Sequence, residues 1–287
     1  MKRDAMVLDT SSPFGTYPPI GLVRTAWRLA SQARLPKGLR RYVRLFLGKI
    51  FTGPYDLEAD GLKFRVYPSD NYDDRKVLIK GRLPEVEEHK LIEPFLSDDA
   101  VFVDVGANIG VYTVFAAYHG ARVIALEPNA HSVDKLQCNI DANGLQNVTI
   151  VPTAAGPRED VLELYSETSN RGVGTLDKRV TNGEWGGDWA PSTVKMRPLT
   201  TIVDEAGVKK IDVLKIDVEG FEDRVLLPFL RPAEKSLWPR VILLETNCRP
   251  YLSDDFLPEL ANPSYPVPGR THPTLTFDFD PSPLLSN

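Results

Sequence analysis

The chain has 287 residues, 42% apolar and 25% charged, an ordinary globular composition that can close one core without disulfides. Its two cysteines, Cys138 and Cys248, exclude a disulfide framework, no closely spaced Cys/His set suggests zinc, and no apolar run reaches the ~18 residues of a membrane span. The net charge of −5 is uneven: residues 21–50 carry eight basic and no acidic side chains, so the chain from residue 51 onward carries −13, which disfavours nucleic acid as a partner.

Residues 1–20 are rich in Ser, Pro and Gly and read as loose; they lack the basic-then-apolar layout of a secretion signal. With so few cysteines the expected home is a reducing compartment, the cytoplasm. Residues 20–33 and 37–50 read as two basic amphipathic helices broken at Pro36. Two readings stay open for them. They could make weak peripheral contact with an anionic inner membrane face or an acidic partner, or pack on the main domain with the basic face in water.

Residues 57–68 predict a hairpin turning at Asp60-Gly61, and residues 84–96 a helix starting at Pro84. Then strands at 100–105, 122–127 and 147–152 alternate with helices at 109–119 and 130–143, the latter stopped by Gly144. This alternation predicts an α/β fold with a mostly parallel, doubly wound sheet and helices on both faces. Residues 156–192 lack a clear period apart from "VLELYS" and read as a functional lid. "TVKMRPL", a helix at 200–206, the strand "IDVLKI", a helix at 219–230 and the strand "RVILLET" complete the pattern. The tail after Asn247 holds eight prolines, and only "TLTFDFD" looks strand-like, so it reads as a truncated or diverged terminus. The chain therefore divides into a helical appendage (1–54), the main domain (55–247) and the tail (248–287).

The chemistry concentrates in "VFVDVGANIGVYT", residues 101–113. A strand runs into Asp104, then Gly106, Asn108 and Gly110, then an apolar stretch that opens a helix. The dinucleotide signature needs glycines at its first, third and sixth positions, and this loop fails at the second and third glycines. The pattern D-x-G-x-N-x-G instead resembles the first motif of S-adenosylmethionine-dependent methyltransferases, with Asn tolerated at the middle position because it enters left-handed backbone readily. Asp104 suits the cofactor's ammonium, directly or through water. Glu127, ending the next strand, can accept two ribose hydroxyls.

"VDVGANIGVYT", "ALEPNAHSVDKLQCNI" and "DVLKIDVEGFEDRVL", in that order, resemble the FkbM family of methyltransferases over residues 55–247. "DNYDDRKVLIKG" and "EVEEHKLI" resemble that family's leading segment. The resemblance implies a Rossmann-like class I methyltransferase fold. It also implies S-adenosyl-L-methionine as cofactor and O-methylation of a hydroxyl on a sugar, lipid or secondary metabolite, a small-molecule, glycan or lipid acceptor. The family's usual final hairpin has no clear counterpart in the tail.

In open α/β sheets ligands bind outside the carboxyl ends of the strands, where Asp104, Glu127, Asp217 and Glu245 all fall. Asp217 is the candidate base or orienting group for an acceptor hydroxyl. Glu219 is a second catalytic candidate, with the alternative of a first-turn helix residue favoured by the dipole. Asn170, Arg171 and Thr175 on the lid are candidate substrate contacts. Trp185 and Trp189 could stack on a sugar or anchor the lid. His131 reads as a helix-surface residue and Cys138 as a core residue of the same helix. A divalent metal is not expected, although Asp217, Glu245 and Asn247 form a hard-oxygen set. The rival functions are a non-catalytic cofactor-binding or scaffold protein of the same fold, and an NAD-dependent oxidoreductase. The latter lacks both its three-glycine loop and a Tyr-x-x-x-Lys pair.

Overall fold

The computed structural model describes residues 8–30, 37–182, 188–245, 247–254, 256, 268–270 and 274–278. Helices α1 (Gly21–Ala30) and α2 (Lys37–Ile50) lead into the hairpin β1 (Tyr55–Ala59) and β2 (Leu62–Val66), then α3 (Tyr72–Lys80) and α4 (Val86–Ile92). The alternating core follows as β3 (Val101–Val105), α5 (Val111–Tyr118), β4 (Arg122–Leu126), α6 (Ala130–Ala142) and β5 (Val148–Val151). Next come β6 (Ala154–Gly156), β7 (Asp160–Glu167), β8 (Asn170–Thr175), β9 (Trp189–Pro198) and α7 (Leu199–Glu205). The chain then runs through β10 (Val213–Ile216), α8 (Glu222–Leu230), β11 (Val241–Glu245), β12 (Pro268–Arg270) and β13 (Thr274–Asp278).

Seven strands form one sheet in the order β12-β13-β11-β10-β3-β4-β5. The pairs from β11 to β5 are parallel, and β13 runs antiparallel between β11 and β12. Numbered within this sheet, the order is 6-7-5-4-1-2-3 with a reversed seventh strand, the topology of a class I methyltransferase. The strands are near-continuous apolar runs because both faces are covered. On β3, Phe102 faces the core built with α5, α6 and the hairpin. Val101, Val103 and Val105 face the core built with α7 and α8. A second, four-stranded sheet, β6-β9-β7-β8, branches off after β5 and supplies the lid.

Several elements depart from expectation. Helix α3 was not anticipated, although its ends are well marked: Asn71 caps it by accepting the Asp73 N–H at 2.8 Å, and Gly81 ends it in left-handed geometry. The helix expected from residue 219 begins at Glu222. The tail does carry the final hairpin, β12 and β13. Residues 9–17 are pinned rather than loose: the Arg65 guanidinium, paired with Asp56 at 2.7 Å, donates to the carbonyls of Asp9, Ser12 and Pro13. The hairpin turn is as expected, with Asp60 (φ 50) and Gly61 (φ 81) both left-handed.

Helix α1 buries Val23, Trp27 and Ala30 and lies against α3, while the Arg28 side chain donates to the Ile79 carbonyl at 3.2 Å. The packed reading of this helix is therefore correct for one face. Pro36 and Arg34 lie outside the described residues.

Candidate active site

At the end of β3 the chain turns sharply through Gly106 (φ 81), Asn108 (φ 51) and Gly110 (φ 88). The glycine at 106 is obligatory: a Cβ there would sit 1.9 Å from the backbone carbonyl oxygen of Asp217 on the neighbouring strand end. At Gly110 a Cβ would meet Leu136 Cδ1 at 2.4 Å. Asn108 occupies left-handed backbone as its residue type allows, and both ends of its side-chain amide are bonded. Its Nδ2 donates to Asp73 Oδ2 at 2.8 Å and its Oδ1 accepts from Asn71 Nδ2 at 2.7 Å. The loop is thereby tied to the first turn of α3.

Glu127, one residue past β4, turns back toward this loop. Its Oε2 accepts the Asn108 N–H and its Oε1 the Asn129 N–H, both at 2.8 Å. Burial raises its pKa to about 7, although the two amides and Lys215 oppose the shift. Each oxygen keeps a further lone pair, and Glu127 lines the cavity, so the carboxylate has acceptor capacity left for a diol.

Behind the loop stands Lys215, on β10. Its Nζ donates to the Gly106 carbonyl at 2.6 Å and lies 3.3 Å from Asp104 Oδ1 and 3.7 Å from Asp217 Oδ2. Burial alone would depress this lysine, but the two aspartates hold it above its ordinary value. Asp217 faces the cavity. Enclosure raises its pKa, helped by Glu85 and Asp73 and opposed by Lys215. Glu219 lies two residues on in left-handed backbone (φ 52), and its carboxyl is pushed well up by burial and then by Asp217 and Glu245. It accepts from Cys248 Sγ at 3.4 Å. The first-turn acids of α8 are Glu222 and Asp223, and the Glu222 carboxylate accepts the N–H groups of Val218 and Gly220, so the dipole reading of Glu219 does not hold.

These groups line a cavity of ≈ 370 Å³ at the carboxyl ends of β3, β4, β10 and β11. Leu126, Ala154, Ala155 and Leu164 supply its apolar wall. The opposite wall is α3 and the turn after it: Asn71, Tyr72, Asp73, Lys76 and Glu85. Lys76 bridges Asp73 at 3.0 Å and Glu85 at 2.9 Å. The roof is β8. Asn170 Oδ1 accepts the Tyr72 N–H at 2.8 Å, and the Arg171 N–H donates to the Asp70 carbonyl at 2.8 Å. A Cβ on Gly172 would meet the Asn71 side chain at 2.6 Å, so the roof strand rests directly on the loop-binding asparagine.

Of the expected site residues, Gly106, Asn108, Glu127, Asn170, Arg171, Asp217, Glu219, Glu245 and Asn247 all line this cavity. Three do not. Asp104 is fully buried beneath it, accepting from Thr113 Oγ1 at 2.7 Å and pairing with Lys215, so it cannot reach a ligand ammonium directly. Gly110 caps α5. Thr175 is buried and donates to the Glu219 carbonyl at 2.7 Å, fastening the lid rather than facing the cavity. Glu245 accepts both the backbone and side-chain N–H of Asn247, and the described residues contain no cluster of three His, Cys, Asp or Glu suited to a metal. Trp189 starts β9 away from the cavity, and Trp185 lies outside the described residues.

His131 is no bland surface residue: its Nε2 meets Asp70 Oδ2 at 2.7 Å beside Lys135, which also bonds Asp74. Cys138 is half-buried. Sequence reasoning missed Asn71, Asp73, Lys76, Glu85, Asn129 and Lys215. The signal was present in "DNYDDRK" and "LKID", whose charges fall inside otherwise helical or apolar elements.

Residues 104–262, more than half of the chain, match the methyltransferase FkbM domain. The chain belongs to the FkbM methyltransferase family. Among curated relatives it is 32% identical over 137 residues to the hexuronic acid methyltransferase AglP of Haloferax volcanii, covering 47% of this chain and 52% of that protein. It is 29% identical over 170 residues to the 31-O-demethyl-FK506 methyltransferase FkbM of Streptomyces tacrolimicus, covering 50% of this chain and 62% of the relative. The chain thus spans little more than half the length of these relatives. A putative rRNA methylase from Clostridium thermocellum overlays 67% of the chain and 93% of its own at 12% identity and a TM-score of 0.43. The fold assignment rests instead on strand order.

The cofactor that goes with this family and this cavity is S-adenosylmethionine. The residues present fit it: a loop whose Gly106 has no room for a side chain, a paired-acceptor carboxylate at Glu127 and an apolar wall for a base.

Proposed function

We propose that the protein transfers a methyl group from S-adenosylmethionine to a hydroxyl of a sugar, lipid or secondary metabolite. One observation carries this reading. Asp217, at the carboxyl end of β10, faces the same cavity as the Gly106–Asn108 loop and Glu127, with a raised pKa and Lys215 behind it. When bound, the cofactor supplies an electrophilic methyl on a cationic sulfur.

The side chains do the rest. Glu127 holds the ribose diol through its remaining lone pairs. Asp217 accepts a hydrogen bond from the acceptor hydroxyl and takes its proton as the oxygen becomes nucleophilic, a role its raised basicity favours. Lys215, paired with Asp104, keeps a positive charge beside Asp217 so that the carboxylate is available in its ionised form. Arg171 and Asn170 on the roof strand, and Tyr72 and Lys76 on α3, border the remaining space and orient the acceptor. The roof shields the reacting atoms from water.

The name of one relative, a 31-O-demethyl-FK506 methyltransferase, supports an oxygen acceptor, and that of the other, a hexuronic acid methyltransferase, supports an acceptor of the sugar class. The test is incubation with methyl-labelled S-adenosylmethionine and fractionated host metabolites. The expected product carries the label as an O-methyl ether, and Asp217→Asn forms it about a hundredfold or more slowly. Label recovered only on nitrogen or carbon would overturn the hydroxyl assignment, and no transfer to any fraction would favour a cofactor-binding role.

A further inference from the structure

Helices α1 and α2 leave a row of apolar side chains in water. Leu22 and Leu29 on α1, and Leu39, Tyr42, Phe46 and Ile50 on α2, are each more than half exposed. The α2 set recurs at steps of three, four and four residues, one continuous stripe along the helix. It is not the face that packs on the protein: Leu47 and the following Phe51 do that. Elsewhere among the described residues the strongly exposed large apolar side chains are Ile20, just ahead of α1, and then one to an element, Tyr72, Leu91, Tyr118 and Val161, which is ordinary for a surface. A concentration on two consecutive helices is not.

Charge singles out the same segment. Residues 21–50 carry eight lysines and arginines and no acid, on a chain whose remainder is strongly acidic. An apolar stripe within a purely basic segment fits an interface that is itself apolar beneath and negative on top. A protein partner would need an acidic rim around an apolar groove. A nucleic acid would leave the stripe in water, and the acidic body would repel it.

We infer that α1 and α2 form a docking face for an anionic lipid surface. The stripe enters the headgroup region, and the net positive charge of the segment favours the lipid phosphates above it. The face is also connected to the active site. Helix α1 lies on α3, and the Arg75 guanidinium sits 5.7 Å from the Trp27 ring of α1 and 5.3 Å from the ring of Tyr72, which lines the cavity. A docked molecule therefore holds the α3 side of its cavity close to the bilayer. The inference stands apart from methyl transfer, because it needs no acceptor.

The experiment is co-sedimentation of the full chain with vesicles of phosphatidylcholine alone and of phosphatidylcholine with phosphatidylglycerol, at about 0.1 and 0.5 M salt. Binding is expected to the anionic vesicles, to weaken with salt, and to fall about tenfold or more in the double variant Tyr42→Ser, Phe46→Ser. Both side chains are exposed, so an unchanged unfolding midpoint and unchanged S-adenosylhomocysteine affinity will show that the variant is folded. Equal sedimentation of parent and variant, or a parent that ignores anionic vesicles, overturns the inference. So does sedimentation velocity showing a dimer that the same double variant disperses, since a second copy would then cover the stripe.

Discussion

Glu127 Oε2 accepts the backbone N–H of Asn108 at 2.8 Å, so the acid ending β4 is bonded to the loop ending β3. The bond aligns the carboxylate but leaves it buried, and burial lifts its pKa from the usual carboxylate range to about 7. Ribose hydroxyls donate, so the ionised form is the one that binds them. Affinity for S-adenosylhomocysteine should then rise with pH up to about 7 and level off above it, weakening by up to about tenfold per unit below. Glu127→Gln should bind weakly and lose this pH dependence, and Glu127→Ala should bind at least about tenfold more weakly than the parent. Isothermal titration between pH 5.5 and 8.5 checks both; a parent with a flat profile contradicts the assignment.

The same group acts on stability with the opposite sign. A carboxyl whose folded pKa is raised holds a proton between the unfolded value of 4.5 and the folded value near 7, so unfolding releases it. Stability of the cofactor-free protein should fall as pH climbs through that window. Glu222, also raised to about 7 by burial, adds to the slope. Urea unfolding at several pH values should show a shallower decline for Glu222→Gln than for the parent.

Asp217→Asn keeps the shape of the side chain but removes the base. It should bind cofactor within a few-fold of the parent and transfer methyl about a hundredfold or more slowly. Single-turnover transfer separates the two effects. Normal turnover would remove Asp217 from the mechanism while leaving the cofactor pocket intact.

Lys215→Met should destabilise the fold by about 3–5 kcal/mol, because it leaves the buried Asp104 without its cation. Adding Asp104→Asn should recover part of that loss, since the orphaned charge goes too. If the single variant unfolds at the parent's urea midpoint, the lysine is not the counter-charge.

Gly106→Ala and Gly110→Ala separate two kinds of crowding. Both glycines are left-handed, but the new methyl at 106 strikes a backbone carbonyl, whereas at 110 it strikes the end of a leucine side chain. The first should cost about 3 kcal/mol or more and abolish cofactor binding, and the second about 1–2 kcal/mol with binding retained. Thermal unfolding with and without S-adenosylhomocysteine reads both.

Much of the site was legible because its residues break local rules. Gly106, Asn108 and Gly110 stand where a strand cannot continue, and Glu127 and Asp217 place charge at the ends of apolar runs. Glycine and acid in such places need a reason, and the spacing supplied one. The burial of Asp104 and Thr175 was not legible because spacing along a strand does not say which face a terminal side chain takes. Helix α3 was invisible to periodicity: Val77 and Leu78 are adjacent, and its other buried positions, Asp74 and Arg75, are charged. A helix that buries charge to bind a loop has little apolar stripe to detect. Lys215 reads as an intruder in an apolar strand until Asp104 and Asp217 are seen on either side. The final hairpin was hidden by prolines and by the shortness of β12, three residues paired to β13.

That hairpin bears on how far the chain can be shortened. Strand β13 pairs with β11 along its whole length, from Val241 opposite Asp278 to Glu245 opposite Thr274. A chain ended at residue 247 would lose more than a proline-rich tail. It would turn β11 into an open edge, with unmet backbone donors and acceptors beside the apolar run Val241–Leu244. Such an edge is a template for another chain. The expected fate of the shortened protein is strand-to-strand aggregation, and the last visible strand of the sheet acts as its guard against self-association.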